Sequence, residues 1–230
     1  MRIVVSHLTR MKGARICVAG VDMETLTHVR PVTPAYDPIT RDLLRESGGP
    51  FGVGAVVDIG APIPQPDPPE IEDYRFQTRD ARLVETLSPE RYWETLSAIQ
   101  VDGFEEAFGP ELERRGRSYA IEAGHGTRSL AVIPVRRPRL QIDRWGKLRL
   151  SPRSTGLSLG VNDIRFYEAD HETIRQDVVS NVDARLRASV EAHALLGLTR
   201  AFQAKDDDRE RHWLQVNGLC LADDPTGDTP

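Results

Sequence analysis

The stretch Ser129-Leu130-Ala131-Val132-Ile133-Pro134-Val135-Arg136-Arg137-Pro138-Arg139-Leu140-Gln141-Ile142-Asp143-Arg144-Trp145-Gly146-Lys147-Leu148-Arg149-Leu150-Ser151 decides how the chain is read. Residues 129–135, 139–144 and 147–151 carry the short apolar runs and polar alternation of β-strands, with Trp145-Gly146 as a tight turn. The same stretch concentrates charge. Residues 128–153 hold eight Lys/Arg and one acid, Asp143, so this block is +7 in a chain whose other residues sum to −12. A local cationic block can give an acidic protein an electrostatic footprint for a polyanion. The plainer alternative is a solvated, arginine-rich strand surface. Arginine outnumbers lysine 27 to 3 throughout.

Working outward, residues 163–167 continue the sheet. Ile174, Val178, Val182, Leu186 and Val190 form an i, i+4 stripe that predicts a helix over 170–191. Strands are expected at 194–200 and 213–221, followed by a disordered tail at 222–230. On the N-terminal side, strands are expected at 3–6, 16–21, 25–32, 53–59 and 71–77. Asp37-Pro38 and Gly48-Gly49 bracket a helix between the third and fourth of them. Ser88-Pro89 starts a helix as N-cap and first residue, and 104–115 suits another. The fold class expected is mostly β with α (α+β): two OB-like β-barrels, 1–78 and 118–221, joined by a helical connector at 79–117. OB-type barrels are partly open, and oligonucleotides or oligosaccharides lie across strands 2–3 and nearby loops. Ig-like and PUA-like β folds produce similar strings. A short echo, Leu8-Thr9-Arg10 against Leu198-Thr199-Arg200, gives modest support to duplication.

Composition excludes several classes. At roughly 150 residues per domain, 230 residues fit one large domain or two small ones. The longest apolar runs fall far short of the ~20 residues of a membrane span. No signal peptide is read at the N-terminus, so a cytoplasmic location is expected. Two cysteines cannot build a disulfide scaffold, and Cys17 and Cys220 both read as small buried hydrophobes. None of the six histidines forms a zinc-type pair, and neither a Gly-x-Ser-x-Gly elbow nor a Walker loop is present. Glu70, Glu72 and Asp73 could hold a divalent cation, with a solvated acidic turn as the alternative. Asp206, Asp207 and Asp208 are read the same way. No metal, cofactor or catalytic residue is expected.

Contacts to a polyanion have clearer candidates. Gly124-His125-Gly126-Thr127-Arg128-Ser129-Leu130 offers backbone and side-chain donors suited to a phosphate oxygen, although a plain tight turn would look the same. Arg144-Trp145-Gly146-Lys147 sets an indole between cations, the combination with which sequence-tolerant single-strand binders hold bases and backbone. Packing of Trp145 on the neighbouring unit is the alternative. In His212-Trp213-Leu214-Gln215-Val216-Asn217, alternation sends Trp213, Gln215 and Asn217 to one face. The expected nucleic-acid contacts are Arg10, Arg30, Arg128, Arg136, Arg137, Arg139, Arg144, Trp145, Lys147, Arg149, Arg200 and Trp213.

Cys17-Val18-Ala19-Gly20, Arg30-Pro31-Val32, Gly126 to Leu130, Asp163-Ile164-Arg165-Phe166-Tyr167, Gly197-Leu198-Thr199-Arg200 and His212 to Asn217 together resemble the bacterial dual OB-containing domain family. The resemblance implies two OB-like barrels, a nucleic-acid-binding role without catalysis, and a setting near DNA-processing or defence genes. The expected function is therefore a non-catalytic module for single-stranded DNA or RNA. One rival is a protein-interaction subunit that joins a helicase or nuclease and docks through acidic residues 65–115, which hold thirteen Asp/Glu against six Arg. A second is a metal-dependent phosphodiesterase using Glu70, Glu72, Asp73 and His125.

Overall fold

A computed structural model describes residues 1–152, 155–205 and 207–227. Arg153 of the cationic block, Asp206 of the acidic triplet and the last three residues of the expected tail lie outside them. In the first half the strands are β1 (Arg2–Arg10), β2 (Ile16–Asp22), β3 (His28–Val32), β4 (Ala55–Asp58), β5 (Ile63–Pro64), β6 (Asp73–Arg75) and β7 (Arg82–Thr86). They form one open sheet in the order β5-β6-β3-β2-β1-β4-β7. Every pairing is antiparallel except β3 with β6. The helix expected between the third and fourth strands is instead two single 3-10 turns, Arg41–Leu43 and Arg45–Ser47. Backbone bonds from Ile16 N to Ile39 O and from Arg41 N to Ala14 O tie this segment to the β1–β2 loop, and Gly48 then turns it back at φ 87°. A longer helix would have to break both ties.

After β7 come helices α1 (Pro89–Ala98) and α2 (Phe104–Phe108), then strands β8 (Glu113–Arg115), β9 (Ser118–Glu122), β10 (Leu130–Val135), β11 (Arg139–Ile142), β12 (Leu148–Ser151) and β13 (Leu159–Gly160). Helix α3 (Gln176–Arg187) precedes β14 (Ala192–Leu198), β15 (Phe202–Gln203) and β16 (Glu210–Leu221). A second sheet runs β10-β14-β16-β9-β8, with β15 beside β16, and a third runs β11-β12-β13. The chain is thus mostly β with few helices, and the sheets remain open, not closed into barrels. Within 79–117, where a helical connector is expected, β7 joins the first sheet, β8 joins the second, and α1 and α2 lie between them.

Other differences have local causes. The predicted 104–115 helix stops at Phe108 because Gly109-Pro110 follows, with Gly109 at φ 82°. Residues 163–167 form a capped 3-10 turn in place of a strand, since the Asp163 carboxylate accepts from Arg165 N at 3.0 Å. Helix α3 starts late because Asp170 Oδ1 accepts from the Glu172 and Thr173 amides, both at 2.8 Å, and fixes a turn. The expected tail is packed over 222–227: Pro225 and Thr226 are buried, and Arg165 Nη1 donates to Thr226 O at 2.8 Å.

Strand periodicity explains how the two large sheets meet. Ile3, Val5, Ala55 and Val57 point into a first core, while Ala131, Ile133, Ala194, Leu196 and Leu198 point into a second. The intervening residues Val4, Val56, Val132, Leu195 and Cys220 point the other way and meet Tyr92 and Leu96 of α1 in a shared layer. Ser88 accepts from Arg91 N at 3.4 Å and Pro89 opens α1, and spacing of i, i+4 aims Tyr92 and Leu96 at that layer. The Tyr92 hydroxyl donates to Ser6 O at 2.5 Å. Both sheets are therefore covered on both faces, which accounts for the uninterrupted burial of Ile3 to Thr9 and of Ala192 to Leu198.

Candidate nucleic-acid interface

A cleft of about 350 Å³ opens where the end of β1 meets β12, β13 and β16. Its wall carries the cations Arg10, Lys147 and Arg149, the aromatics Tyr167, Phe202 and Trp213, and the amides Asn162 and Gln215. No aspartate or glutamate lines it among the described residues. That is a marked departure in a chain with 35 acids against 30 Lys/Arg. Arg10 comes from the first half and the rest from the second.

The strand ends hold these groups in place. Arg10 N donates to Asn162 O at 2.9 Å and Asn162 N to Val216 O at 2.9 Å, so β1, the segment after β13, and β16 are tied in series. The Arg10 guanidinium stacks 4.1 Å from the Tyr167 ring centroid and donates to His171 O at 2.6 Å. Tyr167 donates its hydroxyl proton to Val161 O at 2.7 Å, and burial pushes its pKa up. Trp213 N donates to Thr199 Oγ1 at 2.9 Å, and the Trp213 and Phe202 rings lie 6.3 Å apart at 38°. Asn162 Nδ2 donates to Gln215 Oε1 at 2.6 Å, and Gln215 Nε2 donates to Asn217 Oδ1 at 2.8 Å. The β16 alternation holds as expected: Trp213 and Gln215 reach the cleft, Leu214 and Val216 fill the core, and Asn217 is buried behind.

Asp143 organises the cationic hairpin. Its Oδ1 accepts from the Trp145 and Lys147 amides, both at 2.9 Å, and its Oδ2 accepts from Arg149 Nε at 2.9 Å. Burial would raise its carboxyl, but those amides and the guanidinium outweigh burial and hold it low. Arg149 is therefore partly countered, whereas Lys147 makes no ion pair among the described residues. At the tip, Trp145 is 66% exposed with the Arg144 guanidinium 4.1 Å from its ring centroid, so it packs on no neighbouring unit.

The other expected contacts divide into separate places. Arg136, Arg137 and Arg139 lie on the far edge of the third sheet, next to α3. There Arg137 Nε donates to Ser189 Oγ at 2.6 Å, and Arg139 Nε lies 3.9 Å from Asp183. Arg128 is exposed in the Gly124–Leu130 loop. That loop does bind carboxylates, but they are the chain's own: Gly126 N donates to Glu111 at 2.6 Å, and Ser129 N and Leu130 N donate to Glu72. Arg30 is buried against Asp73 at 2.5 Å, and Arg200 pairs with Asp73 at 2.5 Å and Glu70 at 3.3 Å.

Glu70, Glu72 and Asp73 are accordingly neither a solvated turn nor an open cation site. They are buried, and each is engaged by the protein. Ser129 Oγ donates to Glu72 at 2.8 Å, and His212 Nδ1 lies 3.4 Å from Glu70. Burial pushes Glu72 upward. Burial would do the same to Glu70, but His212 and Arg200 hold it low. Burial also raises the Cys17 thiol and pushes that of Cys220 up to about 12, which fits two unreactive cysteines.

Tyr167, Phe202 and Asn162 are cleft residues that pattern reading passed over. Phe202 stands two positions after Arg200 in a two-residue strand, too short for a periodicity signal. Tyr167 lies in a segment read as strand, and nothing local announces that the distant Arg10 will cover it.

A mostly β chain with few helices is consistent with OB-containing domains as the class. The chain belongs to the dual OB-containing domain family, whose sequence model matches residues 1–219. Comparison with curated proteins and with solved structures returns no match. No helix among the described residues is long and apolar enough to cross a membrane.

Proposed function

We propose that the protein is a non-catalytic module that binds single-stranded nucleic acid, with one unstacked nucleotide seated in the cleft. OB-fold modules commonly bind oligonucleotides across their strands and adjoining loops. The observation that carries the reading is the juxtaposition of Trp213 and Phe202 with Arg10, Lys147 and Arg149 in a wall free of carboxylates. Rings provide stacking, cations meet phosphate, and the missing acids remove the repulsion that an acidic chain would otherwise present. A volume of about 350 Å³ is at the small end of the ~300–1,000 Å³ typical of ligand sites. Arg144 and Trp145, at the tip of the hairpin that supplies Lys147, extend the surface for neighbouring nucleotides. Fluorescence anisotropy with single- and double-stranded DNA and RNA at two ionic strengths tests this. Single strands bind, and binding weakens steeply with salt. Equal affinity at both salts contradicts the electrostatic mechanism.

One feature favours a second reading, a protein-interaction subunit. Strand β7 is an edge of the first sheet, and all five of its residues are exposed, Leu83 and Val84 among them. The acidic face expected at 65–115 is a weaker candidate, because Glu70, Glu72 and Asp73 are buried. Pull-down with Leu83→Lys beside the wild type separates the readings, since an adaptor loses its partner and a nucleic-acid binder keeps its oligonucleotide.

A further inference from the structure

An edge strand offers its outward backbone groups to another chain unless something blocks them. On β5, Gln65 N donates inward to Asp73 O at 2.8 Å, so the alternate positions Pro64 and Pro66 face out and carry no N–H. On β10, Val101 N donates to Val132 O at 2.9 Å, and the next outward position is Pro134. On β11, Asp183 Oδ1 accepts from Leu140 N at 3.0 Å. Strands β8 and β13 have only three and two residues. Strand β7 differs from all of them. It runs for five exposed residues without proline or lysine, Leu83 and Val84 being 42% and 45% exposed. Among the described residues, no backbone bond from a further segment covers its outer side.

We propose that β7 pairs antiparallel with β7 of a second copy of this chain, across a two-fold axis normal to the sheet. A register shift sets Arg82 opposite Asp58 and Glu85 opposite Val56 on β4, with Val84 as the extra residue. Asp58 and Val56 are two positions apart, so Arg82 and Glu85 lie on one face of the sheet. Such an axis keeps each face on its own side, so the residues it sets opposite must share a face. Arg82 of each copy then meets Glu85 of the other, and Leu83 lies beside Val84. The edge is self-complementary. Arg82 makes no ion pair among the described residues, and Glu85 has Arg91 at 3.9 Å with both side chains about half in solvent. The cleft holds no β7 residue, so the pairing is independent of nucleic-acid binding.

Sedimentation velocity over a range of concentrations gives the test. The wild type associates to a dimer. Arg82→Glu and Glu85→Arg each turn two attractive pairs into repulsive ones and raise the dissociation constant about tenfold. The double variant, Arg82→Glu with Glu85→Arg, restores the pairing and the dimer. Both positions are exposed, so circular dichroism matches that of the wild type throughout. A wild type that stays monomeric overturns the proposal, and so does a dimer that Arg82→Glu leaves intact. A double variant as weak as the single ones overturns it too, because Arg82 and Glu85 then do not meet. Oligonucleotide anisotropy on the same samples reports on the cleft separately, so either conclusion can fail without the other.

Discussion

The Arg10 guanidinium lies 4.1 Å from the centroid of the Tyr167 ring, which joins the last residue of the first strand to the second half of the chain. Cation–π contact and the bond from Arg10 to His171 O hold the guanidinium at the cleft wall. The site is therefore composite, and neither half contains it alone.

Stacking on Trp213 is the first quantity to measure. Trp213→Ala weakens single-strand binding by about 1–3 kcal/mol, the usual worth of one base on an aromatic platform. Anisotropy reads the loss, and circular dichroism verifies the fold. An unchanged affinity removes Trp213 from the interface.

Salt dependence locates the phosphate. For single strands log K falls with log salt by roughly 0.7 per phosphate contact, so Lys147→Gln reduces the slope by about that amount. Charge reversal at Arg136, Arg137 and Arg139 together lowers affinity less than Lys147→Glu alone, because those three lie on the far edge beside α3. The opposite ranking moves the strand to the α3 side of the third sheet.

Glu72 fixes the first half to the second. Its carboxylate accepts from Ser129 N, Ser129 Oγ and Leu130 N, all of them buried. Glu72→Ala strands these donors at about 1–3 kcal/mol for each one left unmet. Urea unfolding shows the loss as a lower midpoint, with Glu72→Gln in between. A variant as stable as the wild type excludes Glu72 as a staple.

Acid acts through buried imidazoles. Burial lowers His7 to about 3 and His28 and His193 to about 4, all well below the ordinary 6.5. The folded protein keeps these rings neutral while the unfolded chain protonates them. Their contribution is thus fully present above pH 6.5 and is lost as pH falls toward 4. By pH 5 that loss is about 2 kcal/mol for the fully buried His7. Glu72, raised by burial, works in the opposite sense. Urea midpoints between pH 7 and pH 5 provide the check: they fall, and a rise would contradict the burial argument.

Local pattern carried most of the strands. The runs 130–135, 139–142 and 148–151 stand where β-branched and alternating residues put them, and Trp145-Gly146 is the turn between the last two. Pattern misled where a tertiary tie overrides it, as at 37–46, where bonds to the β1–β2 loop replace a helix with two short turns. Of the expected contacts, the cations Arg10, Lys147 and Arg149 and the ring of Trp213 do converge. Arg30 instead faces Asp73, because β3 and β6 pair in parallel and carry residues 43 positions apart into register, and Arg200 pairs with the same carboxylate from beyond β14. Sequence lists cations; only the sheet order shows which have carboxylates beside them.

The most direct test is photocrosslinking of a single-stranded oligonucleotide carrying 5-iodouracil, followed by mapping of the modified peptide. A base seated in the cleft attaches to Trp213, Phe202 or Tyr167. Adducts confined to α3 and β11, or to β7, would contradict the account.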